Sequence, residues 1–145
     1  MIGFRGRLRS ERGAELIEMA MVLPILMLVV GGIVDFGFTF RAWQVMTNAA
    51  REGARVGVLP QYSCTPDVGG DVENRVAAYL ASAGLTGVAV DAGVVQVGGL
   101  RACAVRVSLD HPLPSLGAFA RFFGGNFATV PLAAGATMRT ETQAP

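Results

Sequence analysis

The sequence predicts an α+β protein with a long N-terminal transmembrane helix and a small globular head. Three patterns indicate this class. An apolar run extends from Leu16 to Phe40, no proline follows that run until Pro60, and from Gly87 onward apolar and polar residues alternate with a period of two. We expect the head to combine a short helix with a largely antiparallel sheet of three to four strands.

The apolar run is long enough for one membrane span over about residues 16–40. It carries no charge between Glu18 and Asp35, and Met19–Val34 alone would cover about 24 Å as a helix. The flanking apolar residues extend this toward the roughly 30 Å of bilayer hydrocarbon. A secretory signal peptide is the rival interpretation, but no A-x-A-like cleavage site follows the run. A buried helix of a soluble protein is the other alternative.

The charge distribution predicts the orientation of this span. Residues 1–13 hold four arginines and Glu11, a formal charge of +3, whereas the other eight arginines face ten acids. The positive-inside rule then places the N-terminus in the cytoplasm. The expected location is the inner (cytoplasmic) membrane, single-pass, with the head periplasmic or extracellular.

The chain should therefore divide into three parts: a basic leader (1–13), a long helix (14–58) and an extracytoplasmic α+β head (59–145). A helix over 14–58 would be about 66 Å long. Ala49, Gly53 and Gly57 recur every four residues and form a small-residue face on which the head can dock.

Within the head, residues 71–83 predict an amphipathic helix with Asp71 as N-cap and Gly84 as C-cap. A second helix is expected around PSLGAFARFFGGN, with Ser115 as its cap and Gly124 as its stop. The strand candidates are GVAVDAG, GVVQVGG, ACAVRVSLD and VPLAAGATMRTE.

Cys64 and Cys103 are the two cysteines, and both fall in the part expected outside the cytoplasm. In an oxidising compartment they can form a disulfide. The alternative is two buried thiols.

No pattern in the sequence indicates catalysis, and we expect no enzyme, no cofactor and no metal site. His111 is the sole histidine; it follows Asp110 in a segment interpreted as a turn that ends a strand. Ser108 and Ser115 lie outside any nucleophile-elbow motif, so an anchored hydrolase using His111 is a weak alternative. No dense basic patch with interleaved aromatics follows the leader, so we expect no nucleic-acid partner.

The junction between leader and span carries the most specific motif. If the chain is cut between Gly13 and Ala14, Glu18 becomes the fifth residue of the mature protein, the spacing at which type IV prepilins are cut. Acids in the first turns of any helix are also favoured by its dipole, which is sufficient to explain Glu15.

The motif belongs to a longer pattern, ERGAELIEMAMVLPILMLVVGGIVDFG followed by NAAREGAR at Asn48–Arg55. This pattern resembles the TadE-like family of minor pilins and pseudopilins from tight-adherence (Flp, type IVc) pilus systems. The resemblance implies a subunit that is cleaved after Gly13 and that assembles or initiates such a pilus. It also implies that Glu18 neutralises the N-terminal amine of a neighbouring subunit.

The partners implied by this resemblance are a prepilin peptidase, the inner-membrane platform protein of the pilus, other major and minor pilins, and the lipid bilayer. Met19 stands where major Flp pilins typically carry tyrosine, and the chain is longer than those pilins, which favours a minor subunit. The alternative is a permanently membrane-anchored extracytoplasmic binding module.

Overall fold

The computed structural model describes residues 5–59, 62, 64, 70–126 and 129–140, with side chains from Gly13 onward. The arginine side chains of the leader thus lie outside the described part. The helices are α1 (Arg5–Gly57), α2 (Asp71–Ser82) and α3 (Pro114–Phe122); the strands are β1 (Ala89–Val97), β2 (Leu100–Pro112) and β3 (Thr129–Arg139). The predicted α+β class is confirmed.

The chain forms two compact units, and α1 contributes to both. The first unit comprises Met1–Gly37 and Leu113–Ala128, so it contains the apolar part of α1 together with α3. The second comprises Phe38–Pro112 and Thr129–Pro145, and it contains the rest of α1, α2 and the sheet. Helical backbone begins at Arg5 and continues through Gly13, so α1 starts earlier than the expected residue 14.

The sheet of the second unit is an antiparallel meander in the order β1-β2-β3. GVAVDAG and GVVQVGG, taken as two candidate strands, form the single strand β1. Val97 pairs with Leu100, which leaves a two-residue turn at Gly98 and Gly99. Both glycines have positive φ, 62° and 79°, as a type I′ turn requires.

One face of the sheet is the core face, because side chains alternate along each strand. Cys103, Val105 and Val107 of the central strand are each at most 1% exposed. The register places Val105 between Ala92 of β1 and Ala136 of β3. The larger buried side chains packed into the same core come from α1 and α2: Met46, Val72, Val76 and Leu80.

The small-residue face of α1 packs against this core. A Cβ added at Gly53 would collide with the Val76 side chain, and one at Gly57 would collide with the Cys103 sulfur. Ala49 and Ala54 are fully buried beside them. The small residues therefore let the helix backbone approach α2 and the sheet closely, as the docking interpretation of the sequence expects.

Both caps of α2 differ from prediction, the C-cap by one residue. Its N-cap is Gly70, with φ 62° and no side-chain hydrogen bond, so the assignment of Asp71 as the cap is wrong; Asp71 is the first helical residue. At the other end Ala83 is the C-cap, and Gly84 follows it with φ 80°. The Leu85 amide donates to the Leu80 carbonyl at 2.9 Å, which completes a Schellman motif.

We expect Gly53→Ala to destabilise the protein, because its Cβ would collide with Val76. Overpacking of this kind costs about 1–3 kcal/mol, and the better helix propensity of alanine returns about 1 kcal/mol at most. Gly37→Ala is the matched control, since a Cβ at Gly37 meets nothing within 4 Å. Thermal unfolding of the full chain in detergent micelles should show a lower midpoint for Gly53→Ala only. Equal midpoints for the two variants would contradict the packing.

Candidate assembly site

The apolar half of α1 presents its large side chains outward. Leu16, Ile17 and Met21 are 72%, 62% and 69% exposed. Gly13–Gly57 contains a window with a mean hydropathy of 2.4, no residue of which is buried within the chain. Among the described residues this is the one helix long and apolar enough to cross a membrane. It has the character of an N-terminal membrane anchor.

Gly13 lies inside this helix with no packing role within the described structure. A Cβ added there would meet no heavy atom within 4 Å. Glycine in a helix interior costs about 1 kcal/mol relative to alanine, and here no close approach compensates for that cost. Neither packing within the described chain nor helix propensity therefore explains a glycine at this position.

Ala14 and Glu18 are both exposed, and they are four residues apart on one helix face, about 6 Å along the axis. Within the part of the chain that the structure describes, no hydrogen bond or ion pair connects Glu18 to another residue. The structure thus leaves the Glu18 carboxylate available on the outside of the apolar segment.

Asp35 behaves in the opposite way, although it lies in the same apolar stretch. It is 1% exposed, and its two carboxylate oxygens accept backbone N–H groups of α3, from Ser115 at 3.2 Å and from Leu116 at 2.7 Å. These amides belong to the first turn of α3, where helical N–H groups lack intrahelical partners. Asp35 therefore caps α3 from a different helix, and its negative charge meets the positive end of the α3 dipole.

The local sequence of α3 explains why it needs this partner. Its own N-cap position is Leu113, which makes no side-chain hydrogen bond, and Pro114 occupies the first turn. The assignment of Ser115 as cap is wrong, since Ser115 is inside the helix and gives its backbone N–H to Asp35. A Cβ added at Gly31 would lie 3.0 Å from the Ser115 Cβ, so glycine permits this close contact.

From the sequence, Asp35 at the outer edge of the apolar run is interpreted as a hydrated acid, with a partner contact as the less favoured alternative; its capping of α3 was not predicted. Two signals point to it: a lone acid inside an otherwise uncharged apolar stretch, and a predicted helix that begins at a proline without Ser, Thr, Asp or Asn before it. Gly124, expected to stop α3, follows its C-cap with φ 78°.

In the second unit, the AREGAR segment of α1 carries an ion pair on its surface. Arg55 donates from Nε and from one Nη to the two oxygens of Glu52, both at 2.9 Å. The hydrogen bond from Arg55 lowers the pKa of Glu52, and the nearby charges of Arg55 and Arg75 act in the same direction against partial desolvation. This pair stabilises one turn of a surface helix and shows no feature of a reactive site.

The cysteines form a disulfide in the second unit. Cys64 and Cys103 have Cα atoms 5.7 Å apart, and the bond joins positions 39 residues apart in sequence. By chain entropy a loop of this size restricts the unfolded state by about 4 kcal/mol. The bond ties the segment before α2 to the central strand.

In a comparison with protein families, residues 13–55 of the chain match the family described as TadE-like protein. The match confirms the resemblance seen in the sequence, and it covers the part of α1 that runs from the Gly13 motif to AREGAR. It does not extend into α2, α3 or the sheet. Comparisons with curated proteins and with solved structures find no match.

The TadE-like match indicates a protein associated with a tight-adherence pilus and its components, and this family is not a family of enzymes.

His111 does not lie in a turn as expected. Asp110, His111 and Pro112 are the last residues of β2, and they pair with residues 129–131 of β3. No group of three His, Cys, Asp or Glu in the described residues is arranged to bind a metal.

We expect Asp35→Ala to destabilise the first turn of α3, because the amides of Ser115 and Leu116 lose their acceptor. Loss of such a cap costs about 0.5–2 kcal/mol, so the effect should be local. Hydrogen exchange of the full chain in micelles should show faster exchange at Ser115 and Leu116, with an intermediate effect for Asp35→Asn, which keeps one acceptor oxygen. Asp110→Ala, an exposed acid, is the control. Unchanged protection in Asp35→Ala would contradict the capping function.

Proposed function

We propose that this chain is a minor pilin or pseudopilin of a tight-adherence (type IVc) pilus, cleaved by a prepilin peptidase between Gly13 and Ala14. The observation that carries the proposal is the geometry around Gly13. A helix-disfavouring glycine without a packing role precedes an exposed acid, Glu18, on an exposed apolar helix, and all three lie in the TadE-like match.

The cleavage has a clear electrostatic consequence. It removes the leader, whose four arginines and one glutamate sum to +3, and it creates an α-amine on Ala14. The chain loses the charges that hold its N-terminus in the cytoplasm under the positive-inside rule. A cut subunit can then leave the bilayer more easily than an uncut one.

Glu18 supplies the assembly contact in this proposal. A carboxylate within the bilayer costs about 3 kcal/mol near the midplane and less near the interface, so it gains by meeting a cation. Its outward position and lack of an intrachain partner among the described residues favour a cation from another subunit, namely the Ala14 amine of a neighbouring pilin. This contact sets the axial register of subunits as they leave the membrane.

The proposed location follows from the same features. The subunit begins in the inner membrane with its N-terminus in the cytoplasm and its disulfide-bonded head outside, and it is then incorporated into the pilus. Its proposed partners are the peptidase, the platform protein and sibling pilins.

We expect Gly13→Ala to remain full length in the host, while wild type loses 13 residues. Gly37→Ala is the control, since it too lies in α1 without atoms near its Cβ position. Intact-mass measurement should show processing of Gly37→Ala and none of Gly13→Ala, with α1 helicity unchanged in both. Normal processing of Gly13→Ala, or an unprocessed wild type, contradicts the proposal.

We expect Glu18→Ala to reduce surface fibres more than it reduces cleavage, because the carboxylate acts on the neighbouring subunit. Glu15→Ala removes another exposed acid three residues earlier and should leave fibre number near wild type. The measurement is a count of surface fibres beside the mass of the N-terminus. Stable uncut protein in the membrane with normal fibres on deletion would instead favour a permanently anchored binding module.

A further inference from the structure

Helix α3 ends in a cluster of three aromatic rings, which we call the aromatic tip: Phe119, Phe122 and Phe123. The Phe119 and Phe123 ring centroids are 4.8 Å apart, and those of Phe122 and Phe123 are 5.2 Å apart. Phe122 is 84% exposed and Phe123 is 66% exposed. Phe123 thus contacts both other rings; Phe119 is half-buried, whereas Phe122 and Phe123 show most of their surface outward.

The connection between β2 and β3 is much longer than the sheet requires. Antiparallel neighbours can be joined by two residues, as Gly98 and Gly99 do between β1 and β2. Between β2 and β3 the chain instead makes the excursion Leu113–Ala128, which belongs to the unit of the apolar α1 segment. The excursion brings α3 to that segment, and sheet pairing alone gives no reason for it.

The first turn of α3 is fixed to α1 at a defined level. Gly31 contacts Ser115, and Asp35 binds the amides of Ser115 and Leu116. Along the helix, Gly31 and Asp35 lie about 27 and 33 Å from Gly13. If the span begins near Gly13, these residues lie at the opposite boundary of a hydrocarbon layer roughly 30 Å thick.

We propose that α3 is an interfacial helix whose aromatic tip inserts into the lipid at the boundary opposite Gly13, in the same membrane that α1 crosses. This inference rests on the membrane anchor of the proposed function. The occupant of the exposed rings is the lipid surface, because the first turn of α3 is fixed to the apolar segment of α1 near the boundary of the hydrocarbon layer. Aromatic side chains favour the interfacial region, and α3 with its C-cap supplies three of them within five residues.

The charge pattern of α3 fits this position. Arg121 is its one charged residue, and its Nε donates to the Gly117 carbonyl of the same helix at 3.2 Å. An arginine beside an apolar tip can place its stem along the apolar surface and its guanidinium among lipid phosphates. Capping by Asp35 supplies an acceptor for first-turn amides at a level where water is scarce. Extraction of the subunit then removes the tip from lipid together with α1.

Tryptophan fluorescence in nanodiscs that hold one full-length chain each tests this inference. In a Trp43→Phe background, a probe is placed by Phe122→Trp, and the disc lipids carry bromine either near the headgroup or near the chain end. We expect a blue-shifted emission, stronger quenching by shallow than by deep bromine, and little quenching by aqueous iodide. Phe123→Trp repeats the measurement at the neighbouring ring.

Two control probes separate this inference from the anchor itself. Met21→Trp, in the exposed middle of the span, should be quenched by deep bromine; Tyr79→Trp, on α2, should be quenched by iodide. Quenching of Phe122→Trp and Phe123→Trp by iodide alone, or protection of both from both quenchers, overturns the lipid contact while Met21→Trp still reports the anchor. Absence of bromine quenching at Met21→Trp overturns the anchor and the inference together.

Discussion

The two parts of helix α1 have different surroundings, and they differ in the size of the side chains that they carry. Up to Gly37 its large apolar side chains point outward, with Ile33 and Phe36 still 68% and 71% exposed. From Phe38 on, its buried positions are mostly small, and Gly53 and Gly57 touch side chains of α2 and β2. A small sheet needs at least three strands with an apolar face, or packing against a helix, to be stable. The three-stranded sheet depends on this close approach of a helix for its core.

The same requirement explains the valine-rich character of the head. Val72 and Val76 of α2 and Val105 and Val107 of β2 are each at most 1% exposed. Because the glycines remove Cβ atoms from the helix surface, these branched side chains can fill the space next to the α1 backbone. The disulfide adds a constraint at the end of this core, where Gly57 meets Cys103. Packing and cross-link therefore act on the same contact between α1 and the central strand.

Features with a local cause were predictable from the sequence. Period-two alternation with Gly98-Gly99 gives the β1–β2 hairpin, and the four-residue spacing of small residues gives the docking face of α1. The caps were not predictable in this way. The partners Asp35 and Leu116 are 81 positions apart, and no local pattern connects them. Ser115 was the local candidate, but the helix begins at Pro114 and its N-cap, Leu113, has no side-chain acceptor, so the acceptor comes from another element.

The two acids of the apolar stretch, Asp35 and Glu18, differ in what the rest of the chain offers their carboxylates. Asp35 is buried and binds two amides of its own chain, so its desolvation is compensated before any partner arrives. Glu18 is exposed on α1, and no described residue of the chain compensates its charge in lipid. An acid that is already hydrogen-bonded gains little from a new cation, whereas an unpaired acid in an apolar medium gains substantially. This difference, rather than acidity itself, is why the proposed contact with a neighbouring subunit is assigned to Glu18 and not to Asp35.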